Sequence, residues 1–214
     1  MAHCAVPYPV VVIIDPQYRG RDRLTVGLRL LLAIPHMLVV GTVGFSLAAH
    51  NRAPDSISLT GETGLLGGIA WLLAIVSWFT IVISGVHINV FRRYTRFYLR
   101  WRVRALAYMM LLADRYPPFG DGEYPARLTL AEPAARDRLA VGFRILLAIP
   151  HLIVLFFLVC AWWITSIVSW LLILVTGDYP QGLYDFGAGV LRWMIRVEAY
   201  MLLMVDEYPP FAFE

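Results

Sequence analysis

Between Leu139 and Gly177 the chain runs for 39 residues with Arg144 as its only charge. About 20 apolar residues suffice to cross a hydrocarbon core of about 30 Å. A run of this length dictates that much of the chain is solvated by lipid. Composition agrees: the 214 residues are 59% hydrophobic and 15% charged, where soluble chains average about 45–50% apolar and about 25% charged. Leu24 to Ala49, interrupted by Arg29 and His36, and Leu65 to Val86 form two further runs, and residues 50–64 between them read as a polar loop. The 139–177 run reads as a tight hairpin of two spans turning near Phe157 to Trp162. The turn holds neither Gly nor Pro, and the competing reading is one long tilted helix. Met1 to Pro7 lacks the basic, then apolar, organisation of a secretory signal, so the membrane segments themselves are expected to direct insertion. Cys4 and Cys160 read as free thiols.

The second constraint is an internal duplication. Arg21-Asp22-Arg23-Leu24 recurs as Arg136-Asp137-Arg138-Leu139, and GLRLLLAIPH at Gly27 to His36 recurs as GFRILLAIPH at Gly142 to His151, an offset of 115. After the first apolar run the offset drops to 92, because the first copy carries 23 more residues there (115 minus 92). The new offset pairs Ser77-Trp78 with Ser169-Trp170, Gly85 with Gly177, Arg100-Trp101 with Arg192-Trp193, and Tyr116-Pro117-Pro118-Phe119 with Tyr208-Pro209-Pro210-Phe211. Each copy opens on Tyr-Pro and a short extended segment, Val10 to Ile14 or Ala126 to Ala131, suited to pairing with each other in a small sheet.

This order of Tyr-Pro, acidic-Pro, Arg-rich helix start, Ile-Pro-His, Gly-Asp-Tyr-Pro, Arg-Trp and Asp-Glu-Tyr-Pro-Pro-Phe resembles the bacterial membrane proteins grouped as domain of unknown function 4389. The resemblance covers nearly the whole chain as two copies, 1–119 and 120–214. The first copy departs from it at Gly85-Val86-His87-Ile88, where the second has Gly177-Asp178-Tyr179-Pro180. The family implies an integral membrane protein of bacteria and carries no established activity.

The arginines give the expected orientation, because basic segments stay cytoplasmic. Apart from Arg52, the other 17 of the 18 basic residues fall on the N-terminal arms, the linker, or the segments after the second span of each copy. Four spans with both termini inside the bacterial cytoplasmic membrane place them all on one side. Phe97 to Ala113 and Phe186 to Val205 are long enough to span, but they carry Arg100, Arg102 and Arg104, or Arg192, Arg196 and Glu198. At mid-bilayer each charge costs roughly 2.5–3.5 kcal/mol. Arg92, Arg96, Arg100 and Arg104 share one helix face, the pattern of a helix lying in the interface. The expected fold is therefore an all-α membrane protein of two tandem parallel repeats. Each would be a two-helix transmembrane hairpin plus an amphipathic interfacial helix, with short cytoplasmic β-strands.

Candidate sites follow from the repeats. Pro35-His36 and Pro150-His151 sit within equivalent apolar runs, where proline frees a carbonyl one turn earlier. They read as a kink with a satisfied histidine, as a polar lining at the repeat interface, or as two imidazoles facing across the two-fold axis to hold a haem or metal. Arg21, Arg23, Arg29, Arg136, Arg138 and Arg144, joined by Arg100, Arg104, Arg192 and Arg196, make a basic collar for anionic lipid phosphates. Arg29 and Arg144 are expected to snorkel to the headgroups. Asp114 and Asp206 are expected to pair with collar arginines. Glycines 41, 44, 64, 67 and 68 suit close helix packing.

No nucleophile elbow, Walker loop, dinucleotide Gly motif, Cys-x-x-Cys or His-Glu-x-x-His occurs, and juxtamembrane arginines beside apolar faces do not read as a nucleic-acid surface. The expected function is a non-enzymatic accessory or scaffolding subunit, binding lipids and a membrane protein partner or a second copy of itself. The alternative is a transporter or channel for a small or lipidic solute with its site at the repeat interface.

Overall fold

A computed structural model describes residues 8–42, 60–120, 122–131 and 138–213, and the chain is mostly helical. In order come strand β1 (Val10–Ile14), helices α1 (Arg23–Gly27), α2 (Arg29–Val40), α3 (Thr60–Ser84) and α4 (Asn89–Met109), strand β2 (Ala126–Leu130), and helices α5 (Arg138–Gly142), α6 (Arg144–Thr176) and α7 (Gln181–Met201).

The expected hairpin at 139–177 does not form. Helix α6 is a single run of 33 residues, about 50 Å long at 1.5 Å per residue. Residues 157–162 hold no helix breaker, and Pro150, which does lie in the helix, forfeits one backbone bond without ending it. In the first copy the expected span from Leu24 stops at Val40, where Gly41 takes φ 81°. Helix α3 is broken at Gly64, whose backbone (φ 64°) is non-helical, and runs regularly from there on. A Cβ there would lie 2.4 Å from the Gly41 nitrogen and 2.7 Å from the Val39 carbonyl, so only glycine lets the two ends meet. Of the expected loop at 50–64, residues 50–59 lie outside the described residues, while 60–63 are already helical in α3 ahead of the break at Gly64.

Burial explains how α2 and α3 together match α6. Along α6 the buried side chains are Arg144, Ala148, His151, Leu155, Val159, Trp162, Ser166, Ser169 and Ile173, in steps of three or four residues that keep to one face. The first copy buries Arg29, Ala33, His36, Val40, Gly67, Ala70, Ala74, Ser77 and Ile81, which are the same nine positions at offsets of 115 and then 92. The additional 23 residues thus interrupt one long helix between equivalents of Leu155 and Phe156.

Helices α4 and α7 are the centre of the fold, which corrects their assignment as interfacial helices. Each buries most of its C-terminal two thirds, α4 against α2 and α3, α7 against α6, and the two against each other. Strands β1 and β2 pair antiparallel, Val10 with Leu130, Val12 with Leu128 and Ile14 with Ala126. Their buried faces rest on α7 and α4 respectively. Such a pair has its two-fold through Val12 and Leu128, perpendicular to the sheet. The molecule is therefore layered along a pseudo-two-fold axis: sheet, then α4 with α7, then the long helices.

Contacts between the copies are symmetric too. Trp78 at the far end of α3 donates its indole N–H to the Val141 carbonyl of α5 (2.9 Å), and Trp170 of α6 donates to the Val26 carbonyl of α1 (3.0 Å). The guanidinium of Arg138 lies over Gly85, and that of Arg23 over Gly177. Each long helix ends where the other copy begins.

Candidate functional site

The long helices present an apolar outer surface. Leu30, Leu31, Leu38, Leu65, Ile69, Leu72, Ile75, Phe79 and Ile83 are exposed in the first copy, and Ile145, Leu146, Ile153, Phe157, Ile164, Ile167, Leu171 and Val175 in the second. Exposed apolar area beyond a few hundred Å² marks an interaction surface. Gly64–Ser84 and Arg144–Thr176 are each long and apolar enough to cross a membrane. Between the copies, Trp71, Trp78 and Phe79 of α3 face Ile145 of α6 beneath Met201 and Leu203, lining an apolar hollow of about 250 Å³.

Arginines anchor the start of each long helix from within. Arg29 donates to Asp114 (2.7 Å) and to the Tyr108 carbonyl (3.2 Å), and its guanidinium lies 4.7 Å from the Tyr108 ring. Arg144 repeats this with Asp206 (2.6 Å), the Tyr200 carbonyl (2.7 Å) and the Tyr200 ring (4.4 Å). Arg29 and Arg144 are 1% and 2% exposed. Neither snorkels to headgroups as expected, because a carboxylate and a carbonyl inside the fold satisfy them better than a partial reach to water.

The carboxylates are delivered by a helix end that costs strain. After α4 the Leu112 N–H bonds the Ala107 carbonyl and the Leu111 N–H the Tyr108 carbonyl, while Leu111 takes φ 66°. Met204 and Leu203 (φ 62°) do the same after α7. This is a Schellman close with leucine where glycine is usual. Both leucines are buried, so the side chain that strains the backbone also fills the core. Arg21, buried as well, pairs with Asp114 and donates to the freed Leu111 carbonyl (2.8 Å), while its own N–H bonds the Gly177 carbonyl (3.0 Å). It thereby ties the end of α6 to the end of α4.

The histidines sit in two closed aromatic cages. Trp101 donates to Nδ1 of His36 and Trp193 to Nδ1 of His151, both at 3.1 Å, a bond only the neutral ring accepts there. Phe119 stacks on His36 at 4.6 Å and Phe211 on His151 at 3.9 Å, with Tyr116 and Tyr208 tilted against them. Both imidazoles are 0% exposed, and each cage comes from its own repeat. The structure therefore closes the two rings off separately, against the reading in which they face one another across the axis to hold a haem or metal. Pro35 and Pro150 lie one residue earlier, inside α2 and α6, which run through them.

The remaining collar residues divide. Arg23 and Arg138 are exposed at the helix starts. Arg196 is buried against the Ala212 carbonyl (3.2 Å), and Arg192 reaches the Val12 carbonyl (3.3 Å). Arg136 lies outside the described residues. Arg100 and Arg104 join Arg115, Arg127, Asp15 and Glu123 around an open cleft of about 830 Å³ beside the sheet. Burial pushes the phenol of Tyr124, in the same cleft, well above its ordinary range. The cleft lies between α4 of the first copy and β2 of the second, and its arginines are not repeated: Arg115 has Glu207 as its equivalent and, with Tyr8-Pro9 aligned on Tyr124-Pro125, Arg127 has Val11.

One functional pair escaped the reading of the repeats. Arg102 donates to Glu198 (2.8 Å) and to the Val40 carbonyl (2.6 Å), joining α4, α7 and the end of α2. Tyr98 donates to the same carboxylate (2.9 Å). The signal is there as broken symmetry, because the equivalents of Arg102 and Glu198 are Met194 and Leu106.

No curated protein and no solved structure matches the chain. The family model described as Domain of unknown function (DUF4389) matches residues 63–120 and 138–212, one segment in each repeat. With well over half of its length matched, one duplicated unit at a time, the chain belongs to the DUF4389 family.

Proposed function

We propose that the protein is a non-catalytic scaffolding subunit of a bacterial cytoplasmic membrane, holding lipids on its apolar layer and a membrane protein partner beside them. Its termini and sheet belong on the cytoplasmic side. The observation that carries this reading is the division of the surface. The long helices expose apolar side chains along their whole length, while exposed arginines gather at their starts and beside the sheet. Arg23 and Arg138 are placed to meet anionic headgroups, where each basic residue is worth about 1 kcal/mol.

Native mass spectrometry of the protein extracted gently from its own membrane tests the proposal. Retained phospholipid and a stoichiometric partner are the expected result, and a bare lipid-free monomer overturns it. The hollow between α3 and α6 favours a second reading, carriage of a lipidic solute at the repeat interface. Solute flux in proteoliposomes that is lost on Trp78→Ala would replace the scaffold with a carrier.

A further inference from the structure

We infer that the two long helices lie flat in one leaflet instead of crossing the bilayer, so that the surface they form takes a single phospholipid leaflet as its partner. This rests on the reading that the apolar layer meets lipid, and it fixes how.

Symmetry supplies the first argument. A two-fold rotation leaves height along its axis unchanged, so the start of α1 and the start of α5 are at one height. The end of α6 touches the start of α1 through Arg21, Arg23 and Gly177, and the end of α3 touches Arg138 at the start of α5. Start and end of each long helix are therefore at nearly the same height, and both helices run perpendicular to the axis. If the axis is the membrane normal, they lie in the membrane plane.

Length supplies the second. Ile145 to Val175 spans about 46 Å at 1.5 Å per residue and carries no charge. Fitting it across a core of about 30 Å needs a tilt of about 50°, beyond the range of about 0–40° of spanning helices.

Charge supplies the third. Were the long helices to span, the axis would lie in the membrane plane, and the sheet that it pierces would sit at mid-depth against lipid. The sheet carries the ion pair Arg127–Asp15, with side chains 59% and 55% exposed, and borders the arginine-lined cleft. Each such charge costs roughly 2.5–3.5 kcal/mol at the bilayer centre. Laid flat, the same groups face water and the apolar side chains face acyl chains.

The test uses the full chain with Cys4→Ser and Cys160→Ser. Cysteines are placed singly at Arg138 and Asp178, the two ends of the α5–α6 unit, and treated with an impermeant maleimide in right-side-out and inverted vesicles. Both should label from the cytoplasmic side alone; labelling from opposite sides overturns the flat arrangement. Spin labels at Ile149, Phe157, Ile164 and Leu171 should all report one depth, in the ~5–10 Å range of a helix in the interface. A depth that passes through the bilayer centre overturns the inference while leaving the lipid-binding reading intact. Four water-exposed labels on a protein that does not sediment with membranes overturn both.

Discussion

The two repeats bury the same nine positions along the long helix, yet one does so on a continuous 33-residue helix and the other on two helices, with 23 additional residues inserted after Val40. What was duplicated is therefore a stripe of side chains and the partners that receive it, and helix continuity is dispensable. The stripe begins in each copy at a buried arginine, and there the equivalence can be broken most directly. Arg29→Ala and Arg144→Ala should each cost about 3–5 kcal/mol, because each takes a guanidinium from a carboxylate and from the Tyr108 or Tyr200 carbonyl inside the fold, with Asp114 keeping Arg21. Thermal unfolding in detergent reads both. Losses that differ by more than about 1.4 kcal/mol, a tenfold change in the folding constant, would show that the copies do not use the arginine alike.

Where the copies differ in charge, the comparison sharpens. Arg102→Met strips Glu198 of its guanidinium and should cost several kcal/mol, again about 3–5 for a broken buried pair. The double variant Arg102→Met with Glu198→Leu installs the residues that the other copy carries at these positions, Met194 and Leu106. It should recover at least half of the loss, since an apolar pair of similar volume often equals a buried ion pair. A double variant no more stable than the single one would mean that the Val40 carbonyl, which Arg102 also serves, depends on the cation.

Smaller effects follow from packing. Trp162 is fully buried, and a Cβ at Gly187 would lie 2.6 Å from its indole nitrogen. The first copy holds Ala70 and Thr95 at the equivalent positions, both buried, so bulk has been exchanged between the two helices. Gly187→Ala should cost about 1–3 kcal/mol as overpacking, seen as a lower unfolding midpoint.

Much of this was legible in the chain because a duplication reports twice. The offsets of 115 and 92 locate the additional residues, and Val10–Ile14 pairs with Ala126–Leu130 as its repetition suggests. The single helix was legible only as the competing reading. A run of 39 residues is about two spans by length, and length alone does not reveal that a helix need not cross. The arginine stripe on α4 misled for a physical reason. Periodicity shows that Arg100 and Arg104 share a face, but it does not reveal that β2 and the 115–125 loop pack beside that face. The pairing of Asp114 and Asp206 with collar arginines was legible and holds for Arg29 and Arg144; their burial was not, because the carboxylates arrive through leucines in a left-handed conformation that sequence rules reserve for glycine. Arg102 and Glu198 are invisible to any search that looks only for agreement between the copies.

The smallest expected effect is the strictest test of the opening comparison. Deleting residues 41–63 and changing Gly64 to Ala joins Val40 directly to the α3 helix, as Leu155 is joined to Phe156 in the second copy. The junction loses Gly41 and the non-helical Gly64, both needed only because two ends must meet. It gains a continuous backbone ladder and sheds the entropy of closing a 23-residue connection between Val40 and Gly64, which grows only as (3/2)RT ln n and comes to at most about 3 kcal/mol before its constant. Against this, Arg102 loses the Thr42 carbonyl at 3.3 Å, one hydrogen bond to a charged group worth about 1.5–3 kcal/mol. The two nearly cancel, so the midpoint should move little while the far-UV circular dichroism keeps its helical signal. A shortened chain that no longer folds would mean that the additional residues hold the first repeat together, and that the two stripes match in sequence without being the same structural unit.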